Sequence, residues 1–330
     1  MRDVSARAGV SIKTVSRVVN GETTVAPALA ARVRAAIEEL GYRPDPAASS
    51  LRRRDGRSRT IAIVLEDLAN PFSAAVHRAV VDAARARGVL VLSASSDGDP
   101  DDEREAVAAF TDRRVDGVIL MPTSGDHGWI AEEPAAGTTM VTIDRPAGDL
   151  DAVVSDNRAG AARATTHLLR RGHRRIGFLG DLRDIYTMRE RAAGHREALA
   201  AAGVPGDERL TRLDLHDSAA AEQAVIELLT ISDAPTAIFS AQNLVTIGAV
   251  RALRRLELHR DVALIGFDDI ILGDLLEPGV TVVAQDPAEI GRLAADQLLG
   301  RIAGDDGPPR RHVVPTRLIP RGSGEIPAKQ

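Results

Sequence analysis

The chain has 330 residues, enough for two or three domains with their own cores, and its 44% apolar and 27% charged content is that of an ordinary globular protein. It contains no cysteine, which excludes disulfides, thiol catalysis and cysteine-ligated zinc; no run of 18 apolar residues occurs, and charges recur from Arg2 onward, so no secretion leader is expected. The net charge of −5 hides a division, because residues 1–59 carry twelve basic and six acidic side chains, net +6, while the rest nets −11. A basic head on an acidic body predicts a polyanionic partner for the head; the missing cysteines, apolar spans and leader lead to the expectation of a cytoplasmic protein with no membrane partner.

From the N-terminus, DVSARAGVSIKTVSRVVN (3–20) reads as a helix-turn-helix. Val4, Ala8, Val15 and Val18 are apolar at helical spacing, Gly9 supplies the left-handed turn, and Ser11 can cap the second helix. Ile12, Lys13, Thr14, Ser16 and Arg17 are left facing outward, a set suited to base edges and phosphates. The only lysines in this arginine-rich chain are Lys13 and Lys329, so Lys13 runs against its bias. A third helix is predicted from Pro27 to Leu40, with Leu29, Val33, Ile37 and Leu40 as its apolar stripe and Gly41 as its end. Asp45 and Pro46 can open a short hinge helix through Leu51, too short to hold alone. Arginine-rich linker follows, with Arg52, Arg53, Arg54 and Arg57 as nonspecific phosphate neighbours.

From Thr60 onward, apolar strand runs alternate with helices. Strands are predicted at 60–65, 89–95, 115–121, 138–144, 152–155, 175–180, 236–241 and 262–267, with helices between them, including 71–87, 101–113 and 157–171. Such alternation implies parallel sheets covered on both faces, and about 265 residues suit two doubly wound subdomains. With aromatics at only 2%, their cores must be built from Ala, Val, Leu and Ile. Ligands in these sheets bind beyond the carboxyl ends of strands, which singles out Asp144, Gly180, Ala241, Phe267 and Asp268.

With these blocks in place, the chain resembles the LacI/GalR family of transcriptional regulators over nearly its whole length. The resemblance rests on DVSARAGVSIKTVSRVVNG, ELGYRPDPAASSL, NPF (70–72), RVDGVIL, IDRP (143–146), SDNRAGA, RGHRRIGFLG, RERAAGH, PTAIFSA, LIGFDD and AQDPAEIGRLA. It implies a lambda-repressor-like helix-turn-helix head at 1–44, a hinge helix and linker at 45–59, and a type 1 periplasmic-binding-protein core at 60–325, with a tail at 326–330. The core would have an N-subdomain of about 60–156 and 287–314 and a C-subdomain of about 157–284 and 315–325. Carried onto this sequence, Ile12, Lys13 and Arg17 would read bases, Thr14, Ser16 and Asn20 would hold phosphates, and Leu51 would wedge into the minor groove. The head begins two residues before Asp3, so further phosphate-contacting residues are expected ahead of it in a complete family member.

For the core, the resemblance implies effector contacts at Phe72, Ser73, Asp144, Arg191, Gln242, Asp268 and Gln285. Two carboxylates, one guanidinium and nearby amides suit a polyhydroxylated ligand, a sugar or polyol, with no cofactor and no metal. The chain departs from the family at Gln242-Asn243, where Asn-Asp is common, at 216–218, which lacks an aromatic, and at Ser73, which replaces a second aromatic. Ala26 stands where a hydroxyl residue usually caps the third helix. The expected function is a ligand-responsive repressor binding a pseudo-palindromic operator as a homodimer, and not an enzyme. An enzyme of the doubly wound class is poorly supported, since no G-x-G-x-x-G follows the first strand and neither a P-loop nor HExxH is present. A sugar-transport binding protein would need a secretion signal where this chain has a DNA-binding head. The closing PRGSGEIPAKQ has no leucine heptads, so a dimer through the core is expected rather than a coiled-coil tetramer.

Overall fold

In the head, α1 (Arg2–Ala8) ends at Gly9, whose φ of 60° and ψ of 41° only glycine adopts without strain. Ser11 starts α2 (Ile12–Val19) by accepting from the Thr14 N–H at 3.1 Å. The third helix, α3 (Pro27–Glu39), starts at Pro27 behind Ala26, which makes no side-chain cap. The three helices close on Val4, Ala8, Val15, Val33 and Ala36. Its stripe differs from the sequence reading: Ala30, Val33 and Ala36 are buried while Leu40, past the last helical residue, is 45% exposed. Short alanines let α3 approach α1 closely, so the bulkier leucines fall at the rim. The Arg32 guanidinium lies over the turn and donates to Ala8 O at 2.5 Å.

This computed structural model describes residues 1–19, 22, 24–42, 57–125, 127–131 and 138–329. Asn20, the hinge helix expected from Asp45 and Pro46, and Leu51 lie outside the described residues. The chain divides into two units, Met1–Ser58 and Arg59–Gln330.

The larger unit holds two six-stranded sheets. The first is built from β1 (Thr60–Leu65), β2 (Leu90–Ser95), β3 (Gly117–Leu120), β4 (Thr139–Ile143), β5 (Asp151–Ser155) and β11 (Arg311–Val314), in the order β11-β5-β4-β3-β1-β2, all parallel. The second contains β6 (Ile176–Leu179), β7 (Thr211–Arg212), β8 (Ala237–Ser240), β9 (Ala263–Phe267), β10 (Thr281–Ala284) and β12 (Arg317–Ile319), in the order β12-β10-β9-β8-β6-β7. Here β12 pairs antiparallel to β10, a departure from the purely parallel expectation. Parallel to β5, β11 ends on the side of its sheet where the other strands end, and only Pro315 and Thr316 separate it from β12, so β12 enters the second sheet at the end where β10 finishes and runs the opposite way.

Helices α4 (Pro71–Arg85) and α5 (Pro100–Asp112) cover the first sheet; α6 (Asn157–Arg170), α7 (Tyr186–Ala201), α8 (Ser218–Thr230) and α9 (Asn243–Arg255) cover the second. The last helix, α10 (Pro287–Ile302), returns to pack on β3, β4, β5 and α4. The chain thus passes between subdomains three times, at Asp156, at Gln285 and Asp286, and at Pro315 and Thr316. Asp156 ties two of these passages together by accepting from the Thr316 N–H at 2.7 Å, while Arg163 donates to both Asp156 and Thr316 O. The cores are mainly aliphatic on both faces of each sheet, with buried Phe178, Phe239 and Phe267 in the second and half-buried Phe72, Phe110 and Trp129 packed against the first.

Candidate functional site

On the recognition helix α2, burial of Val15 against the core turns Ile12, Lys13 and Arg17 outward, all three exposed, and leaves Thr14 and Ser16 half-buried beside them. Residues 12, 13, 16 and 17 fall on one helical face by their spacing. Thr14 Oγ1 is engaged with Ser11 Oγ at 2.9 Å. Arg17 forms an ion pair with Glu22 at 3.5 Å, both side chains nearly half exposed, so solvent competes for it. The surface that α2 presents therefore combines one apolar contact, two cationic donors and two hydroxyls.

In the larger unit the strand ends of both sheets line one cleft of about 540 Å³, its open mouth included. All seven sequence-derived positions border it: Phe72, Ser73, Asp144, Arg191, Gln242, Asp268 and Gln285. The two aspartates are topological counterparts. Asp144 follows β4 and Asp268 follows β9, each with a left-handed backbone (φ 62° and 71°) and each N–H donating across the sheet at 2.9 Å, to Val153 O and Val283 O. That conformation costs a non-glycine residue about 1 kcal/mol or more, with aspartate among the more tolerant types, and here it turns a carboxylate into the cleft from each subdomain.

Arg191 reaches the cleft from the buried face of α7. Its Nε donates to Asn157 Oδ1 and its Nη1 to Ala241 O, both at 2.8 Å, and its plane lies 3.8 Å over the Phe267 ring. Nη1 is 3.8 Å from Asp268 Oδ2, leaving Nη2 without a hydrogen bond among the described residues. Burial lowers the Arg191 pKa, though Asp268 and Asp144 oppose the shift and the group stays cationic. Burial likewise pushes the Asp144 and Asp268 carboxyls up, against Arg145 and Arg191 for the first and Arg191 and Gln285 for the second.

The amides divide their work. Gln285 Nε2 donates to Asp268 Oδ1 at 2.6 Å, and its carbonyl accepts from Ser155 Oγ on β5, so Asp268 is oriented by a relay that crosses between subdomains. Gln242 Oε1 caps α9, accepting from Leu244 N at 2.6 Å and Val245 N at 3.0 Å, which leaves only its Nε2 for a ligand. Phe72 packs on the first sheet's core, and Ser73 is buried.

Several cleft residues escaped the sequence reading: Glu66, Asn70, Arg145, Asp181 and Asn243. Glu66 follows β1, Arg145 follows Asp144, and Asp181 comes two residues after β6, so the strand-end rule, applied one or two residues further, would have found these three. Arg145 donates to Glu66, to Pro122 O at 2.9 Å and to Asp144 Oδ2 at 3.3 Å. Burial alone would lower its pKa, but Glu66 and Asp144 together hold it above the ordinary value. Asp181 Oδ1 contacts His216 Nδ1 at 3.1 Å, and one ligand atom each of Glu66, Asp181 and His216 lie within 4.8 Å of one another.

A helix-turn-helix head joined in one chain to two doubly wound subdomains that enclose a polar cleft defines the class of ligand-responsive DNA-binding regulators. Comparison with known proteins agrees. Residues 1–45 match the family described as bacterial regulatory proteins, lacI family, and residues 165–324 match the periplasmic binding protein-like domain. The HTH-type transcriptional regulator CelR of Thermobifida fusca is 37% identical over 97% of both chains. A solved transcriptional regulator CelR–cellobiose complex is 34% identical with a TM-score of 0.73, covering 97% of this chain and 98% of that one. The lac repressor dimer bound to operator and the anti-inducer ONPF shares the fold, with a TM-score of 0.85 at 24% identity over 98% of both chains. The chain belongs to the LacI family of bacterial regulatory proteins and is a helix-turn-helix transcriptional regulator. Among the described residues no helix is long and apolar enough to cross a membrane.

Proposed function

We propose that this regulator is a repressor that binds a pseudo-palindromic operator as a homodimer in the cytoplasm and is released or retained by a sugar or polyol held in its cleft. Its role is regulatory and not catalytic. In this reading Ile12, Lys13 and Arg17 read bases, Thr14, Ser16 and Asn20 hold phosphates, and Leu51 enters the minor groove from the hinge. The working divisions are a head at 1–44, a hinge at 45–59 and a core at 60–325. The exposed side chains of Ile271, Leu272 and Leu275 offer apolar surface for a core-to-core dimer.

The observation that carries the ligand reading is the convergence of strand ends from both sheets on a cleft with two carboxylates and one buried guanidinium. Asp144 Oδ1 and Arg191 Nη2, without hydrogen bonds among the described residues, can accept from one hydroxyl and donate to another. The cellobiose bound by the CelR structure is a ligand of this chemical kind. Selection of the preferred operator from random duplexes, followed by gel shifts, tests the DNA half. A single palindromic sequence should emerge and bind far more tightly than scrambled DNA, whereas enrichment without a consensus would refute sequence-specific regulation.

A further inference from the structure

The charge inside the cleft narrows the ligand further. Five carboxylates border it (Glu66, Asp67, Asp144, Asp181 and Asp268) against two guanidiniums, Arg145 and Arg191, with the His216 imidazole beside Asp181, its pKa lowered by burial but raised on balance by that carboxylate. Both guanidiniums are already committed. Arg145 is held by Glu66, Pro122 O and Asp144, and Arg191 by Asn157 and Ala241 O with a single terminal nitrogen left over. An anionic ligand would seek a bidentate guanidinium, and neither arginine has a free pair of parallel donors. It would also face uncompensated negative charge in a partly buried site, where repulsion is strong.

Glu66 comes from the first subdomain and Asp181 from the second, with the half-exposed His216 beside Asp181 and their ligand atoms no more than 4.8 Å apart. A primary ammonium directs three N–H donors tetrahedrally, and acceptors about 2.8 Å from its nitrogen then lie about 4.6 Å from one another. A zinc ion there would sit beside the Arg145 guanidinium, which Glu66 and Asp144 hold in its cationic form against the effect of burial. Asp181 is nine-tenths buried with its Oδ2 lacking a donor among the described residues, and the nearly buried Asp144 retains an unbonded Oδ1 in the same cleft.

We propose that the cleft takes an amino-bearing sugar or polyol, its ammonium seated between Glu66 and Asp181, and rejects uronates and phosphorylated sugars. This rests on the reading of the cleft as the effector site. The ammonium bridges the two subdomains through charge-assisted hydrogen bonds and offsets part of the acidic excess that Arg145 and Arg191 leave.

Calorimetric titration of the full chain at pH 7.5 with matched probes tests the proposal: glucose, galactose and mannose, the 2-amino derivative of each, and glucuronate and galacturonate. At least one amino sugar should bind about tenfold or more tighter than its neutral parent, a difference of about 1.4 kcal/mol, and the uronates should not bind. Asp181→Asn and, separately, Glu66→Gln should bring amino sugar and parent to within about twofold, with a cooperative thermal melt as the evidence of folding. A neutral parent binding as tightly as its amine, or a uronate binding best, overturns the amine assignment and leaves the sugar reading standing. Failure of every sugar to bind overturns the sugar reading and this assignment with it.

Discussion

Asn70 and Asn243 hydrogen-bond each other twice across the cleft, Nδ2 of Asn70 donating to Oδ1 of Asn243 at 3.3 Å and Nδ2 of Asn243 to Oδ1 of Asn70 at 2.9 Å. Asn70 is the N-cap of α4 on the first subdomain, where its Oδ1 also accepts from Phe72 N; Asn243 opens α9 on the second. A carboxylate at position 243 could accept but not donate, so the reciprocal pair is a property of the amide. It joins the subdomains without adding charge to an acidic cleft.

Breaking this pair should loosen the closed cleft. Asn243→Ala removes both bonds and leaves the cap on Phe72 intact. At about 1 kcal/mol per bond, effector affinity should fall roughly thirtyfold while operator affinity without effector changes little. Calorimetry on the variant checks this, and an unchanged effector affinity would show that the pair does not contribute to closure.

The recognition helix carries a second prediction. Lys13→Ala and Arg17→Ala should each cost about 1–3 kcal/mol at the cognate operator and relax the base preference at one position of each half-site. Arg17 must first leave Glu22, but that pair is exposed and its loss costs little. Fluorescence anisotropy on cognate and random duplexes separates the cases, since equal losses on both would mark the residue as a phosphate contact.

Arg191→Gln should abolish the effector response, because one side chain links α7, α6, β8 and Asp268 in the cleft. It removes the partner of a buried carboxylate, so the core's melting temperature should also fall. Operator binding by the head should persist below that temperature. An unaltered effector titration would exclude Arg191 from the binding machinery.

Acid should destabilise the core through His195. This imidazole lies on the buried face of α7, stacked on Phe178 at 4.9 Å, with Nδ1 2.9 Å from the Thr165 hydroxyl. Burial, aided by Arg196, lowers its pKa to about 4. The unfolded chain takes up this proton near pH 6.5 and the folded chain only near pH 4, so stability falls as pH drops through that window. The loss from pH 7 to pH 5 should be about 2 kcal/mol from this group. Urea unfolding of the wild type and His195→Gln at both pH values reads it out, and an equal pH slope in the two proteins would contradict it.

Much of this molecule is legible in the sequence because its local signals agree with its tertiary demands. Gly9 and Ser11 mark the helix-turn-helix turn since left-handed backbone and an exposed N–H each favour one small set of residue types. The apolar strand runs mark two covered sheets, and the strand-end rule leads to Asp144 and Asp268. What pattern alone does not carry is pairing between distant segments. The Asn70–Asn243 pair spans 173 residues, and Ser155, Gln285 and Asp268 meet only after the chain has passed between subdomains. Gln242 shows the same limit in reverse, for its carbonyl caps a helix where the resemblance implies a ligand contact. The reversed β12 follows from a two-residue connection, a constraint of length that hydrophobic patterning does not encode.

The coupling between cleft and head is tested most directly by measuring operator affinity by anisotropy across a titration of the bound sugar, and sugar affinity by calorimetry with and without saturating operator. If both sites act on one equilibrium, the two ligands must alter each other's affinity by the same factor, commonly about 5–150-fold. We expect a matched factor well above one, reduced in Asn243→Ala and absent in Arg191→Gln. Sugar that binds the cleft with identical affinity in the presence and absence of operator would contradict the account, leaving a DNA-binding protein whose cleft does not control it.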